Sequence, residues 1–258
     1  MKLVDAHCHF GPGLKRGHPF GPLREYDSAT DLIDHLAAVG IEQAVVFAPR
    51  WQGGGFIDPD YAQANAAIAE AVKQHPSRLV GFVRVNPKFG QQAAAQVEAA
   101  AEQGFQGLKL DPETESFSPL DLKLLGPLLE ICQAKRLPVL VHTSFHPAQP
   151  LLWLEAAQAF PQVNFILGHM GYRVASDAVI AAQRADNIFL EISGQQPSNL
   201  AKVTKSFDPL RIIFGTDAPF NDPRTEVERL RKLNLPEDKL AAIGRNSIMQ
   251  LLPGGWQA

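Results

Sequence analysis

Eight short runs of β-branched and other apolar residues recur along the chain at intervals of about thirty residues, and alanine-rich segments of helical character separate them. The runs cover residues 2–10, 43–49, 78–87, 105–112, 137–144, 163–171, 187–194 and 211–219. A β-sandwich would need strands at roughly 8–12-residue spacing, which this pattern does not offer. Strand and helix alternating in one order predict right-handed crossovers and a parallel sheet. Eight such units favour closure over an open, doubly wound sheet. The predicted fold is therefore α/β, a single (β/α)8 TIM barrel over residues 1–258, a length that suits a barrel of roughly 250 residues. A dinucleotide-binding sheet would carry GxGxxG after its first strand, whereas the turn here is Gly11-Pro12-Gly13.

Proline and glycine punctuate the helices. Asp58 before Pro59 predicts a cap and first turn for a helix reaching Lys73. Ser118-Pro119 opens a helix that ends at Arg136, with a kink expected at Gly126-Pro127. Pro236 starts the last helix, over 237–252, and Gln52 to Gly55 reads as a flexible loop.

Composition narrows the partners. A net charge of −3 without a basic stripe gives nucleic acid no electrostatic footprint. Cys8 and Cys132, far apart, form neither a disulfide framework nor a zinc knuckle and point to a reducing compartment. The N-terminus lacks the apolar segment of a signal peptide, and no apolar run is long enough to span a membrane. A cytoplasmic enzyme acting on a small molecule is the expectation.

Chemistry in such barrels sits at the carboxyl ends of the strands. Those ends carry Asp5, His7, His9, Arg84, Lys109, Asp111, His142, His169, Glu191 and Asp217. His7 and His9, two apart on one strand, point to the same face, with Asp5 expected one step deeper and Cys8 turned away. A lone histidine in an apolar strand is ordinarily a hydrogen-bonded core residue. Several of them facing one interior together with an aspartate are not, because each unpaired polar group there costs several kcal/mol. A cation satisfies them at once. Imidazoles plus one carboxylate suit Zn²⁺ first, with Mn²⁺, Co²⁺ or Fe²⁺ as alternatives, and the absence of an inward thiolate argues against a purely structural zinc. Zn²⁺ lowers the pKa of a coordinated water to about 7, which supplies a nucleophile at neutral pH.

Four motifs carry a family resemblance: Asp5-Ala6-His7-Cys8-His9-Phe10, Leu140-Val141-His142, Gly168-His169-Met170-Gly171 and Phe214-Gly215-Thr216-Asp217-Ala218-Pro219. In this order and spacing they resemble the amidohydrolase superfamily, closest to its compact amidohydrolase-related branch, which also includes metal-dependent decarboxylases. The resemblance implies one divalent ion on His7, His9, His142 and Asp217. It implies that His169 is an unligated histidine that handles a proton or polarises the substrate, and that Asp217 also accepts a hydrogen bond from the attacking water. A proton-handling His169 is expected to titrate near neutrality. The chain begins directly on its first strand, so the small β-domain that flanks the barrel in hydantoinase-like and urease-like members is expected to be absent.

Lys109 stands where some binuclear relatives carry a carboxylated, metal-bridging lysine; contact with a substrate carboxylate or a salt bridge to Asp111 or Glu191 are the alternatives. Arg84, between outward-facing Val83 and Val85, either grips a substrate carboxylate or forms a structural ion pair. Arg50, Trp51, Phe56 and Arg173 are candidate loop contributors to the pocket, and Glu191 and Ser193 are candidate partners of the metal-binding histidines.

The leading functional expectation is hydrolysis of an amide, lactone or ester bond in a small, anionic molecule. A non-oxidative decarboxylase of the same branch is the nearest alternative, and dimers are common in that branch. A TatD-like metallonuclease fits less well, since its strand-4 glutamate is replaced by Gly107-Leu108-Lys109-Leu110 and the net charge is acidic. A non-enzymatic barrel would have no use for so complete a ligand set.

Overall fold

The computed structural model describes residues 2–13, 22–50, 52–53 and 56–256. Eight parallel strands run in chain order around a ring: β1 (Leu3–His9), β2 (Ile41–Phe47), β3 (Leu79–Gly81 continued by Val83–Arg84), β4 (Leu108–Leu110), β5 (Val139–His142), β6 (Phe165–Gly168), β7 (Ile188–Glu191) and β8 (Ile212–Ile213). Strand β3 joins the two halves of the sheet: Phe82 N donates to Val46 O at 2.9 Å, and Val83 N to Gly107 O at 2.9 Å. The ring closes where Ala6 N donates to Phe214 O, Asp217 N to His7 O and His9 N to Ala218 O, at 2.7–3.0 Å. This is the (β/α)8 TIM barrel expected from the repeat. The strands are shorter than the apolar runs, because each run also supplies the loop residues at its carboxyl end, where the polar side chains lie.

One major helix follows each strand: α1 (Ala29–Ala37), α2 (Ala62–Gln74), α3 (Gln91–Glu102), α4 (Leu122–Lys135), α5 (Leu154–Ala159), α6 (Ala175–Arg184), α7 (Pro197–Ser206) and α8 (Pro223–Arg231). Side-chain caps fix several starts: Ser28 accepts from Asp31 N, Asp121 from Leu124 N and Asp222 from Arg224 N. Helix α2 begins three residues later than Pro59 suggested, at Ala62. Asp58 still caps it, from outside, by accepting from Gln63 N and Ala64 N. Helix α4 likewise starts at Leu122 rather than at Ser118-Pro119, and it runs on through Pro127. The last helical segment is broken into Glu237–Ala241, a π turn at Ala242–Asn246 and Ser247–Met249. Residues 52–53 pair antiparallel with Phe56–Ile57, a hairpin where a flexible loop was expected, with Gly54 and Gly55 outside the described residues.

Two apolar layers hold the ring. Leu32, Ile68, Val97, Leu125, Leu129, Trp153 and their neighbours pack helices onto the outside of the strands. Inside, Val4, Ala6, Val45, Phe47, Phe82, Leu140, Ile166, Phe189 and Ile213 fill the lumen, joined by Ile248, Leu251 and Leu252 from the chain's end. Val4 and Ala6 in that inner layer show that β1 does not alternate strictly. Its register with β2 shifts between Asp5 and Cys8, so an extra inward residue appears before His7. Asp5 consequently does not line the cavity below His7 and His9 as alternation predicted. Its carboxylate turns to β8, accepting from Thr216 Oγ1 at 2.5 Å, Thr216 N at 2.9 Å and its own strand's His7 N at 3.0 Å. Burial pushes the Asp5 carboxyl up to about 7. Among the described residues no helix is long and apolar enough to cross a membrane.

Candidate metal centre

At the carboxyl end of the barrel lies a cavity of about 270 Å³, lined by His9, Arg50, Arg84, Lys109, Asp111, His142, His169, Tyr172, Asp217, Phe220 and Asn221. His7 lies directly beneath it, fully buried, its ring 5.4 Å from that of His9 and 4.6 Å from that of His169.

Donor atoms of His7, His9 and Asp217 converge on one point. Asp217 Oδ1 is 3.5 Å from His7 Nε2 and 3.2 Å from His9 Nε2, and all three residues are buried. The residue types and spacing fit a divalent cation. Burial and the surrounding cations hold both imidazoles well below their usual pKa, so they are neutral and each has a lone pair to give. His7 Nε2 is buried and has no hydrogen-bond partner among the described residues. Burial meanwhile raises the Asp217 carboxyl well above its ordinary range, a carboxylate short of positive charge.

The lone pair on His7 is fixed from behind. Its Nδ1 lies 2.7 Å from Glu191 Oε2, so the ring proton sits there and Nε2 is the free acceptor. Glu191 also accepts from His169 N at 2.9 Å, Ser193 Oγ at 2.9 Å and, on Oε1, Ser193 N at 2.6 Å. Glu191, His7 and His169 are close enough to hold an ion themselves. Glu191 Oε2 is already engaged by three donors, His7 Nδ1, His169 N and Ser193 Oγ, so that oxygen serves to orient the His7 ring. Glycines make room for this packing: a Cβ on Gly215 would meet Glu191 Oε1 at 2.6 Å and His7 Cβ at 2.8 Å, and one on Gly168 would meet Val141 O at 2.9 Å.

His142 lines the cavity but stands outside the converging group. Its Nε2 is 3.6 Å from Glu113 Oε2, and its ring is 4.9 Å from that of His169. Glu113, unmarked in the sequence reading, also accepts from Ser144 Oγ, and these two partners hold its carboxyl below the ordinary range.

His169 reaches the cavity from a left-handed turn: its φ is 61°, followed by 45° at Met170, 75° at Gly171 and 49° at Tyr172. Gln195 holds this turn by donating to His169 O at 2.6 Å and Tyr172 O at 2.9 Å. Thr143 Oγ1 accepts from Gly171 N and donates to Gly168 O. His169 Nδ1 is 2.9 Å from Ser193 Oγ, whose one proton goes to the Glu191 carboxylate, so Nδ1–H donates and Nε2 carries the lone pair. Its titration is not near neutrality as expected: burial and the neighbouring His7 and His142 hold it well below, as a neutral base.

The two candidate substrate cations differ. Arg84 is fully buried and engaged, its Nη2 3.0 Å from Asp111 Oδ2 and 2.9 Å from Glu115 Oε1, and its Nε 3.2 Å from Glu115 Oε1. Glu115 also accepts from the Tyr61 hydroxyl. This is the structural ion pair of the two alternatives. Lys109, beside it in register on β4, has no carboxylate within ion-pair distance among the described residues, and its ammonium lies over the Phe47 ring at 4.8 Å. Burial pushes its pKa down to about 8. Arg50 lines the cavity, whereas Arg173 is exposed and does not. Trp51 and the side chain of Phe56 lie outside the described residues.

The Amidohydrolase family profile matches residues 4–253, nearly the whole chain. This chain belongs to the amidohydrolase family. The fold recurs in the 5-carboxyvanillate decarboxylase of Sphingomonas paucimobilis, at a TM-score of 0.75 and 14% identity, covering 97% of this chain and 98% of that one. It recurs in the 2,6-dihydroxybenzoate decarboxylase of Rhizobium, at 0.73 and 18%, covering 97% and 98%. A probable 2-pyrone-4,6-dicarboxylic acid hydrolase of Acinetobacter baumannii matches at 0.70 and 16%, covering 98% of this amidohydrolase and 100% of that chain. No curated protein matches the sequence at a significant level.

Proposed function

We propose that this amidohydrolase is a metal-dependent hydrolase that cleaves a lactone, ester or amide bond in a small, carboxylated molecule. The observation that carries the reading is the convergence of His7 Nε2, His9 Nε2 and Asp217 Oδ1 at the floor of a cavity, with the His7 atom buried and without a hydrogen-bond partner among the described residues. These three atoms, joined by His142 once it turns from Glu113, would hold one divalent ion, Zn²⁺ by preference for this donor set. Bound there, the ion supplies Lewis acidity, polarising a carbonyl and acidifying a water.

The protein's own groups do the rest. Asp217 takes the proton of the attacking water and passes it to the leaving oxygen or nitrogen. His169, neutral and fixed with Nε2 toward the cavity, accepts a hydrogen bond from that water and can share its proton. Lys109 and Arg50 hold the substrate carboxylate at the wall formed by β2 and β4, while Arg84 keeps Asp111 in place. The cavity volume suits a single small ring.

Decarboxylation on the same site is the second reading, drawn from the decarboxylases that share the fold. The cationic wall weighs against it: a carboxylate paired with Lys109 and Arg50 is stabilised as an anion, which opposes its departure as neutral CO₂. The zinc-loaded protein incubated with 2-pyrone-4,6-dicarboxylate and a panel of carboxylated lactones should consume the lactone and acidify the medium. Release of CO₂ from 5-carboxyvanillate or 2,6-dihydroxybenzoate, with every lactone left intact, would replace hydrolysis by decarboxylation.

A further inference from the structure

The walls of the cavity differ in electrostatic character. Arg50 and Lys109 follow or lie on β2 and β4, and in a closed ring of eight strands the opposite wall belongs to β6, β7 and β8. On that side Tyr172 and Asn221 line the cavity beside His169, Asp217 and Phe220, and neither has a part in the chemistry described so far.

Asn221 follows the Asp217 turn, its backbone N donating to Asp217 O at 3.2 Å. Asn221 lines the cavity, and its side-chain Nδ2 is buried with no hydrogen-bond partner among the described residues. A buried amide donor left unpaired is costly, and a ligand oxygen would satisfy it. Tyr172 is its neighbour across Gly194. A methyl group on Gly194 would come within 2.7 Å of Tyr172 Cε1 and 3.5 Å of Asn221 Nδ2, so only the bare backbone lets both side chains border one space. The Tyr172 ring stacks on His169 at 4.2 Å and 14°, and its hydroxyl is unpaired among the described residues. The strained turn clamped by Gln195 holds it there.

We propose that Asn221 and Tyr172 form a substrate subsite that donates hydrogen bonds to an uncharged oxygen acceptor, a carbonyl or ring oxygen, and thereby orients the substrate with its carboxylate toward Lys109 and Arg50. An anion does not fit this wall. Glu226 accepts from Gly194 N at 3.3 Å directly behind it, and burial together with Asp217, Glu191 and Glu226 keeps the Tyr172 phenol protonated, as a donor. The subsite rests on the reading of the substrate as a small carboxylated molecule.

The test uses a flexible isosteric pair, 4-oxopentanoate and 4-methylidenepentanoate, which share a carboxylate and differ only in C=O against C=CH₂. Titration calorimetry on the zinc-loaded protein should show the ketone bound about tenfold more tightly, the scale of one unmet buried donor. In Asn221→Leu, and separately in the gentler Tyr172→Phe, the preference should fall to about threefold or less while 4-methylidenepentanoate affinity, metal content and melting temperature stay as in the parent protein. Equal affinities for the two probes in the parent, or a preference surviving in both variants, would overturn the subsite. Binding of neither probe would overturn the carboxylate reading beneath it, and the subsite with it.

Discussion

Glu191 Oε2 accepts the Nδ1 proton of His7 at 2.7 Å, and through that one bond β7 decides which nitrogen of a β1 histidine faces the cavity. Glu191→Gln keeps the shape but sets an amide NH₂ among the donors His7 Nδ1–H, Ser193 Oγ–H and the backbone N–H groups of His169 and Ser193. One of them loses its acceptor and the His7 tautomer is released. Zinc affinity, measured by competition with a chelator, should fall about 10–100-fold. An unchanged affinity would show that the carboxylate does not orient the ligand.

His7 and His9 are expected to hold the ion jointly. Elemental analysis should find one zinc per chain in the parent protein and well below one in His7→Ala or His9→Ala, with turnover lost. Two ions per chain, lost in Lys109→Ala and restored by short-chain acids, would make Lys109 a carboxylated bridge instead. Full occupancy in the double variant would remove both histidines from the ligand set.

The strand-and-helix repeat made the barrel legible, since a thirty-residue alternation has few other closed solutions. The polar strand ends equally marked His7, His9, His169, Glu191 and Asp217, because a buried polar residue on a strand needs a reason to be there. What strand periodicity could not reveal was the β1 register shift that sends Asp5 to Thr216 rather than into the cavity. Nor could it separate Arg84 from Lys109. Both lie on adjacent strands in one register, and Asp111 with Glu115 of the helical turn Pro112–Glu115 makes Arg84 a structural pair, while Lys109 has no carboxylate within ion-pair distance among the described residues. Tyr172 and Asn221 lay in loops, where side-chain direction depends on backbone angles such as the 49° φ of Tyr172. The motif glycines were the overlooked signal: Gly168, Gly171 and Gly215 each stand where a Cβ would strike a neighbour.

Lys109 lets stability and binding be separated. Its folded pKa of about 8 lies below the ordinary 10.5, so between those values the unfolded chain binds more protons and stability should rise with pH. Below pH 8 the buried ammonium opposes folding in full. Lys109→Met should therefore raise the melting temperature at pH 7 by several degrees and flatten the stability profile between pH 8 and 10.5. The same change should weaken 4-oxopentanoate binding about tenfold or more, because the carboxylate loses its cation. A lower melting temperature at pH 7 would mean that Lys109 has a stabilising partner in the folded protein.

His169 tests the mechanism itself. Its ring is buried, stacked on Tyr172 and bonded through Nδ1 to Ser193, which leaves Nε2 as the atom able to meet the water or the substrate. His169→Asn can keep a contact to Ser193 but supplies no comparable base. If the ring shares a proton in the rate-limiting step, kcat should drop at least about a hundredfold while zinc content stays near one per chain. If it is a ligand, zinc should leave with it. If it is only a packed core residue, the melting temperature should fall and the turnover of the folded fraction should persist. Zinc content, melting temperature and kcat on this one variant therefore give three distinct patterns. Near-normal turnover with zinc retained would take His169 out of the mechanism and leave Asp217 as the only proton carrier at the floor of the cavity.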